Sequence, residues 1–344
     1  MKLSVYTRYD ELGASSRYRY FMYLDQLYMA GWQVKLYPLL GDDYLHQLYS
    51  TGKKSSFKLF IGIFRRIITV LRASDNLIIE YELLPFLPYW LEALLLRHKK
   101  YILNFDDNVW EKYANKPWLK NKFDRLAEHA SGIIIANDFL LRKIGSLNNN
   151  ILKVPTVVDL DLYKVSKPKF SKFTVVWIGT PVTYCYLQAF AKVLQAMVSR
   201  VDFELLVIAS KSLENKKISG VQMRFVDWSQ ETEVDLLTRS HVGIMPLPDD
   251  EFSKGKSAFK LIQYLAAGLP VIASPIGENC NIVNDGINGF LVNSQSEWTE
   301  ALITLCNDHV CYNQMATAAK KSSKQYSIQK YSPILLEFLA QVFS

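Results

Sequence analysis

Cysteine is scarce and scattered. Cys185, Cys280, Cys306 and Cys311 form no Cys-x-x-Cys pair and no disulfide framework, so they read as reduced thiols of a cytosolic protein. No uncharged apolar run reaches the roughly 18 residues a membrane-spanning helix needs. The richest stretch, Leu59 to Leu71, is broken by Arg65 and Arg66. The first residues, MKLSVYTRYDELG, pass from a short strand to polar side chains, which is not the pattern of a secretion signal. The five histidines (His46, His98, His129, His241, His309) have no metal-ligand spacing. Glycine (15) and proline (12) are too few, and the 49% hydrophobic share too high, for a collagen-like or disordered chain. What is left is a globular chain of 344 residues, long enough for about two domains.

Charge is unevenly placed. Residues 1–172 carry 26 Lys and Arg against 17 Asp and Glu, and residues 173–344 carry 14 against 16. A basic half fits an anionic partner such as a membrane surface or a phosphorylated substrate, and fits a solvated basic surface equally. No RNA- or DNA-binding motif accompanies it, so nucleic acid is not expected.

Short apolar strands alternate with helical patterns. They read at Lys2–Tyr6, Gln33–Tyr37, Asn76–Glu80, Tyr101–Phe105 and Gly132–Ala136, with helical periodicity over Ser16–Met29 and Pro88–Leu96. The alternation restarts at Thr174–Ile178, Glu204–Ala209, Gln222–Val226, Val242–Met245, Val271–Ala273 and Gly289–Val292. Two such runs predict an α/β protein of two doubly wound, Rossmann-like domains. Pro155–Lys172, with two prolines and four lysines, reads as the connection. The expected units are 1–165, 166–325 and a helix in 326–344 that returns to the first domain.

The segment from Val242 to Val292 is the most informative. A strand ends at Pro246, a polar loop follows, and a helix is expected from Lys256 or Ser257 to Ala267, closed by Gly268 at C′ and Pro270. On that helix Lys256, Lys260 and Gln263 would share one stripe. Two lysines four residues apart repel each other and oppose the helix dipole unless an anion sits between them. A diphosphate at the helix N-terminus answers that need. Two exposed lysines laid over an apolar helix would show the same spacing.

These residues carry a resemblance. Lys-x-x-Phe-Lys-x-x-Gln (Lys256, Phe259, Lys260, Gln263), the run Tyr264 to Ser274 and the run Asp285 to Val292 resemble the C-terminal signature of group 1 (family 4) glycosyltransferases of GT-B fold. That resemblance implies two Rossmann-like domains facing across a cleft. It implies a retaining transferase that takes a nucleotide-diphosphate sugar and needs no metal or other cofactor. The family usually has glutamates where this chain has Gly255 and Gln263, and glutamine hydrogen-bonds a hydroxyl without carrying charge. Lys256 and Lys260 would then stabilise the leaving diphosphate. Gly179, Thr180 and Thr183, in the loop after a strand, would face it, with Ser257 and Phe259 beside it. Trp228 would stack on the base or simply pack in the core. In the first domain, Ser15 or Ser16 would cap a helix, and Arg17 would meet the donor phosphate or an anionic acceptor. Asp106 and Asp107 could bind a metal with the diphosphate, orient an acceptor hydroxyl or act as a base. Without a second ligand cluster the acceptor-side role is the better reading, and Glu82, with Glu80, would share that wall.

Lys53 to Ser74 carries six basic and no acidic residues among aliphatic and aromatic ones. It reads as an amphipathic helix able to lie on an anionic membrane, or as a half-buried helix with basic residues outside. By resemblance, the setting is synthesis of lipopolysaccharide or another surface polysaccharide on a glycan or lipid-linked acceptor, with the enzyme cytoplasmic or peripheral at the inner face of the plasma membrane. Two other readings fit the same chain: a non-catalytic GT-B-like protein that docks to a membrane or partner, supported by the absent glutamates, and a sugar-nucleotide epimerase, whose fold is shared.

Overall fold

A strand that is apolar along its whole length has to be covered on both faces, which favours parallel sheets between helical layers. The computed structural model describes residues 1–165 and 167–344 and contains two such sheets. The first is built from β1 (Lys2–Tyr6), β2 (Gln33–Leu36), β3 (Asn76–Glu80), β4 (Lys100–Phe105), β5 (Gly132–Ile135) and β6 (Ile151–Lys153), in the order β2-β1-β3-β4-β5-β6. The second is built from β7 (Thr174–Ile178), β8 (Glu204–Ala209), β9 (Met223–Asp227), β10 (Val242–Met245), β11 (Val271–Ala273) and β12 (Gly289–Leu291), in the order β12-β11-β10-β7-β8-β9. All the pairings between these strands are parallel. Chain order reverses between β1 and β3 in one sheet and between β7 and β10 in the other, where loops beyond the carboxyl ends part and leave a crevice. The two crevices share one cavity. This is the GT-B architecture.

The boundary expected between 165 and 166 falls on Ser166, outside the described residues. On its near side Val158 pairs with Ser327 in a parallel bridge, so the two segments that cross between the sheets are hydrogen-bonded to each other. After the second crossing the helix Ile328–Phe343 lies on the first sheet. Its Leu335, Phe338, Leu339 and Val342 pack with Leu3, Val5, Ile102 and Ile134.

Two local expectations differ from the structure. The continuous helix over Ser16–Met29 is split into Ala14–Arg19, a 3₁₀ turn Phe21–Tyr23 and Leu24–Met29. Here Tyr18 reaches the cleft while Tyr20 and Tyr23 enter the core beneath the terminal helix, and the backbone breaks at Tyr20 (φ −135°, ψ −56°). β6 is not expected from the sequence: it is an edge strand whose Ile151 and Leu152 are only half-buried and whose Lys153 is exposed, so it lacks the fully apolar character of an inner strand.

Glu82 does not share the cleft wall. It is buried, with Lys112 and Lys122 each 2.6 Å from its carboxylate and the Tyr113 hydroxyl donating at 3.0 Å. Lys122 also meets the fully buried Glu92 at 2.7 Å. Burial pushes the Glu82 carboxyl up, but Lys122 and Lys112 outweigh it and hold it below the ordinary range. The network clamps the β3–β4 connection. Breaking a buried ion pair by removing one partner costs about 3–5 kcal/mol. Lys122→Met should therefore lower the urea-unfolding free energy by about that much. Because the Glu82 pKa is depressed on folding, its stabilisation is present above the unfolded carboxylate pKa and lost as pH falls through the folded value. The gap between wild type and variant should narrow in acid; a variant as stable as wild type at neutral pH would show the network to be dispensable.

Candidate active site

The cleft holds a cavity of about 680 Å³, lined from both domains. From the second domain come the loop after β7, with Gly179, Thr180 and Thr183, and the loop after β10, with Lys256, Ser257 and Ala258. Trp228, Glu231 and Glu233 close one end, and Phe259, Lys260 and Gln263 rise from the helix Phe259–Ala266. From the first domain come Ser15, Arg17, Tyr18, Asp106 and Asp107. Ser16, Glu80 and Glu82 are the expected site residues that do not line it.

The helix bearing Lys260 begins later than expected. Ala258 precedes it in the left-handed region (φ 51°, ψ 30°), a conformation that costs a non-glycine residue about 1–2 kcal/mol. Lys256 is therefore in the loop and not on a stripe one turn from Lys260. The cause lies across the cleft. The Ser257 N–H donates to Asp107 at 3.2 Å and the Gly255 carbonyl accepts from Asn137 at 3.0 Å, so these backbone groups serve the domain interface. The helix ends as expected, with Gly268 at φ 71°.

Both lysines still point to the same space. The Lys256 ammonium lies 4.2 Å from the Phe252 ring centroid and the Lys260 ammonium 5.5 Å from that of Trp177. Neither makes an ion pair among the described residues. Burial, together with Lys256, pulls Lys260 down to about 8. Thr180 and Thr183 are tied to each other, with the Thr180 N–H donating to the Thr183 hydroxyl at 3.1 Å.

At the other end the sequence reading missed the central residue. Glu233 is buried, and its carboxylate accepts from the Tyr18 hydroxyl at 2.6 Å and from the Trp228 indole at 2.7 Å. Tyr18 also stacks obliquely on Phe259, centroids 4.1 Å apart. The Arg17 guanidinium lies between the rings of Tyr18 (4.7 Å) and Trp228 (4.9 Å). Its Nε has no hydrogen-bond partner among the described residues. Glu233 stands five residues after Trp228 in an apolar-polar helix, and only that proximity to an exposed-end tryptophan could have marked it.

Ser15 and Ser16 do not cap the first helix, whose N-cap is Gly13. Their hydroxyls donate to the buried carboxylate of Glu80 at 2.9 and 2.7 Å, and the Arg8 N–H joins them at 2.6 Å. Asp106, at the end of β4, is bonded to the Tyr81 hydroxyl. Burial, then Asp107 and Glu80, push its carboxyl up to about 7. Among the described residues no group of three or more His, Cys, Asp or Glu is placed to hold a metal ion.

Residues 172–308 match the family model for glycosyl transferases group 1. No curated protein matches the chain in sequence. Solved structures with the same fold include a glycosyltransferase from Rickettsia africae (15% identity, covering 100% of this chain and 99% of that one, TM-score 0.68). A sucrose-phosphate synthase from Thermosynechococcus elongatus is similar over 100% and 99% (12% identity, TM-score 0.70). So is HepE from Anabaena, solved with UDP-glucose, over 99% and 100% (12% identity, TM-score 0.73).

The lowered Lys260 pKa gives an expected pH signature to anion binding in this cavity. A bound anion raises that pKa, so binding should be strongest below about 8 and weaken as pH rises and the free lysine loses its proton. Calorimetric titration of UDP at about pH 6.5 and about pH 9.5 should show a loss of roughly tenfold or more. A flat profile would remove Lys260 from the anion site.

Proposed function

We propose that this chain, whose residues 172–308 form a group 1 glycosyltransferase domain, moves a sugar from a nucleotide-diphosphate sugar to a glycan or lipid-linked acceptor with retention of configuration. One observation carries the reading: two lysines that make no ion pair among the described residues, at the switch point of a Rossmann-like sheet, inside a two-domain cleft. HepE binds UDP and UDP-glucose, which makes uridine the first base to test.

In this reading the diphosphate lies against Lys256, Lys260 and the start of the helix Phe259–Ala266, and Thr180 and Thr183 offer it hydroxyls. The base enters beside Trp228, and Gln263 hydrogen-bonds a hydroxyl. Catalysis is chiefly electrostatic: fixed positive charge in a closed cleft stabilises the charge that develops on the departing phosphate. The acceptor hydroxyl approaches from the first domain, where Asp106, titrating near neutrality, orients it and accepts a hydrogen bond; the leaving phosphate takes the proton. Closure of the two domains excludes water and aligns the acceptor.

The helix Ser56–Arg72 supports a membrane-bound acceptor. Phe57, Phe60, Phe64 and Leu71 are each more than half exposed, and the neighbouring helix Tyr89–Leu96 adds Trp90 and Leu94. Lys53, Lys54, Arg65 and Arg72 surround this face. Arg66, expected among them, is instead buried and donates to the Thr7, Glu82 and Leu83 carbonyls. An exposed apolar surface rimmed by cations fits an anionic lipid interface. No described helix is long and apolar enough to cross a membrane.

Two experiments test this function. In a panel of UDP-, GDP-, ADP-, CMP- and dTDP-sugars, one should raise the melting temperature and release nucleotide slowly with chelator present. Lys256→Ala/Lys260→Ala should bind it at least about a hundredfold more weakly, as expected for two charged hydrogen bonds; equal binding would refute the phosphate site. Phe60→Glu/Phe64→Glu should abolish co-sedimentation with phosphatidylserine vesicles while leaving nucleotide binding intact. Persistent co-sedimentation would exclude this face.

A further inference from the structure

Of the five carboxylates that line the cavity, three are already committed and Glu231 is exposed at the end away from the lysines. Glu233 spends both oxygens on Tyr18 and Trp228. Asp106 is engaged by Tyr81 and carries a proton near neutrality. Asp227, towards the far end, accepts from the Lys211 N–H at 2.8 Å. Asp107 is different. Its Oδ1 accepts from the Ser257 N–H, and its Oδ2 has no hydrogen-bond partner among the described residues. It lies close enough to Lys260 to oppose the fall in that lysine's pKa.

The way Asp107 arrives there is built into the interface. Gly255 has ordinary right-handed backbone angles (φ −84°, ψ 0°), so its conformation does not call for glycine. Space does. A Cβ at 255 would lie 2.3 Å from the Asn108 Cβ, and real Cβ atoms do not approach so closely. The missing side chain lets the loop after β4 seat on the loop after β10. Asn108 then donates to the Glu251 carbonyl at 3.2 Å, and Asn137 to the Gly255 carbonyl. The second domain gives up a side chain at 255, and the first domain supplies a carboxylate beside the lysine pair.

We propose that Asp107 recognises the donor sugar: its Oδ2 accepts hydrogen bonds from sugar hydroxyls on the hexose attached to the diphosphate. This rests on the glycosyltransferase reading. The chemistry is that of an ionised acceptor, which binds hydroxyls more strongly than a neutral one. A carboxylate beside the lysines that hold the diphosphate is within one sugar ring of the phosphate. Because the carboxylate belongs to the first domain and the phosphate site to the second, the sugar is held only when the cleft is closed. The donor sugar itself thus favours closure.

The test compares a nucleoside diphosphate with its sugar conjugate: UDP against UDP-glucose, or the GDP or ADP pair if the panel selects that base. Asp107→Asn keeps an acceptor for the Ser257 N–H and removes the charge. It should bind the diphosphate as well as wild type does, or slightly better, since a negative charge beside the lysines is gone. It should lose about tenfold or more of the extra affinity that the sugar confers. Asp107→Glu should recover part of it. A purely structural role would weaken both ligands together and leave their ratio unchanged, which overturns the proposal. So would an unchanged nucleotide-sugar affinity with a raised KM for acceptor, which would place Asp107 on the acceptor side. If wild type binds neither the diphosphate nor any nucleotide sugar, the glycosyltransferase reading falls and this inference with it.

Discussion

Two ammonium groups held in one cavity with no ion-pair partner among the described residues set the terms for this molecule. Burial, and then repulsion from Lys256, pull the Lys260 ammonium down to about 8. Such an arrangement persists only where a rigid scaffold imposes it. The scaffold is the second sheet, whose order reverses between β7 and β10 and so aims both loops at one crevice. The left-handed Ala258 belongs to the same constraint, since it turns the chain from a loop committed to the opposite domain into the helix that carries Lys260.

The cleft is then completed from the other side. Tyr18, Arg17, Asp106 and Asp107 all come from the first domain, and each is held by a neighbour rather than by its own helix. Glu80, at the end of β3, gathers Ser15, Ser16 and the Arg8 N–H, which fixes where the first helix starts and so where Arg17 and Tyr18 point. Glu233 answers from the second domain by accepting from Tyr18. A buried carboxylate is tolerable in each place because every oxygen has a donor.

The inner strands were legible because they are mostly apolar runs, which a doubly covered parallel sheet requires; the edge strands β2, β6 and β9 mix in polar and exposed residues. β7, β8 and β10 needed nothing more. The cavity's second-domain wall was legible for a related reason: cations in a loop before an apolar helix have few uses. What sequence did not show depends on contacts between distant segments. Ser15 and Ser16 look like caps, and only the position of Glu80, 64 residues from Ser16, makes them its donors. Glu82 looks like an acidic residue at a strand end, and only the packing of Lys112 and Lys122 buries it. Lys256 looks helical, and only Asp107 and Asn137, from the other domain, keep it out of the helix. In each case local propensity was overridden by a partner that periodicity cannot locate.

The pairing of Val158 with Ser327 and the return of Ile328–Phe343 to the first sheet have a consequence for how the molecule is made. Leu3, Val5, Ile102 and Ile134 emerge from the ribosome early, yet the apolar face that covers them is translated only after the whole second domain. During synthesis the part of this face that Tyr20, Tyr23 and Leu27 do not cover stays wet, and its aliphatic surface is open to misassociation. The second domain, whose residues are contiguous, has no such wait. The later domain can therefore set without waiting, and the earlier one is completed last, when the helix Ile328–Phe343 arrives.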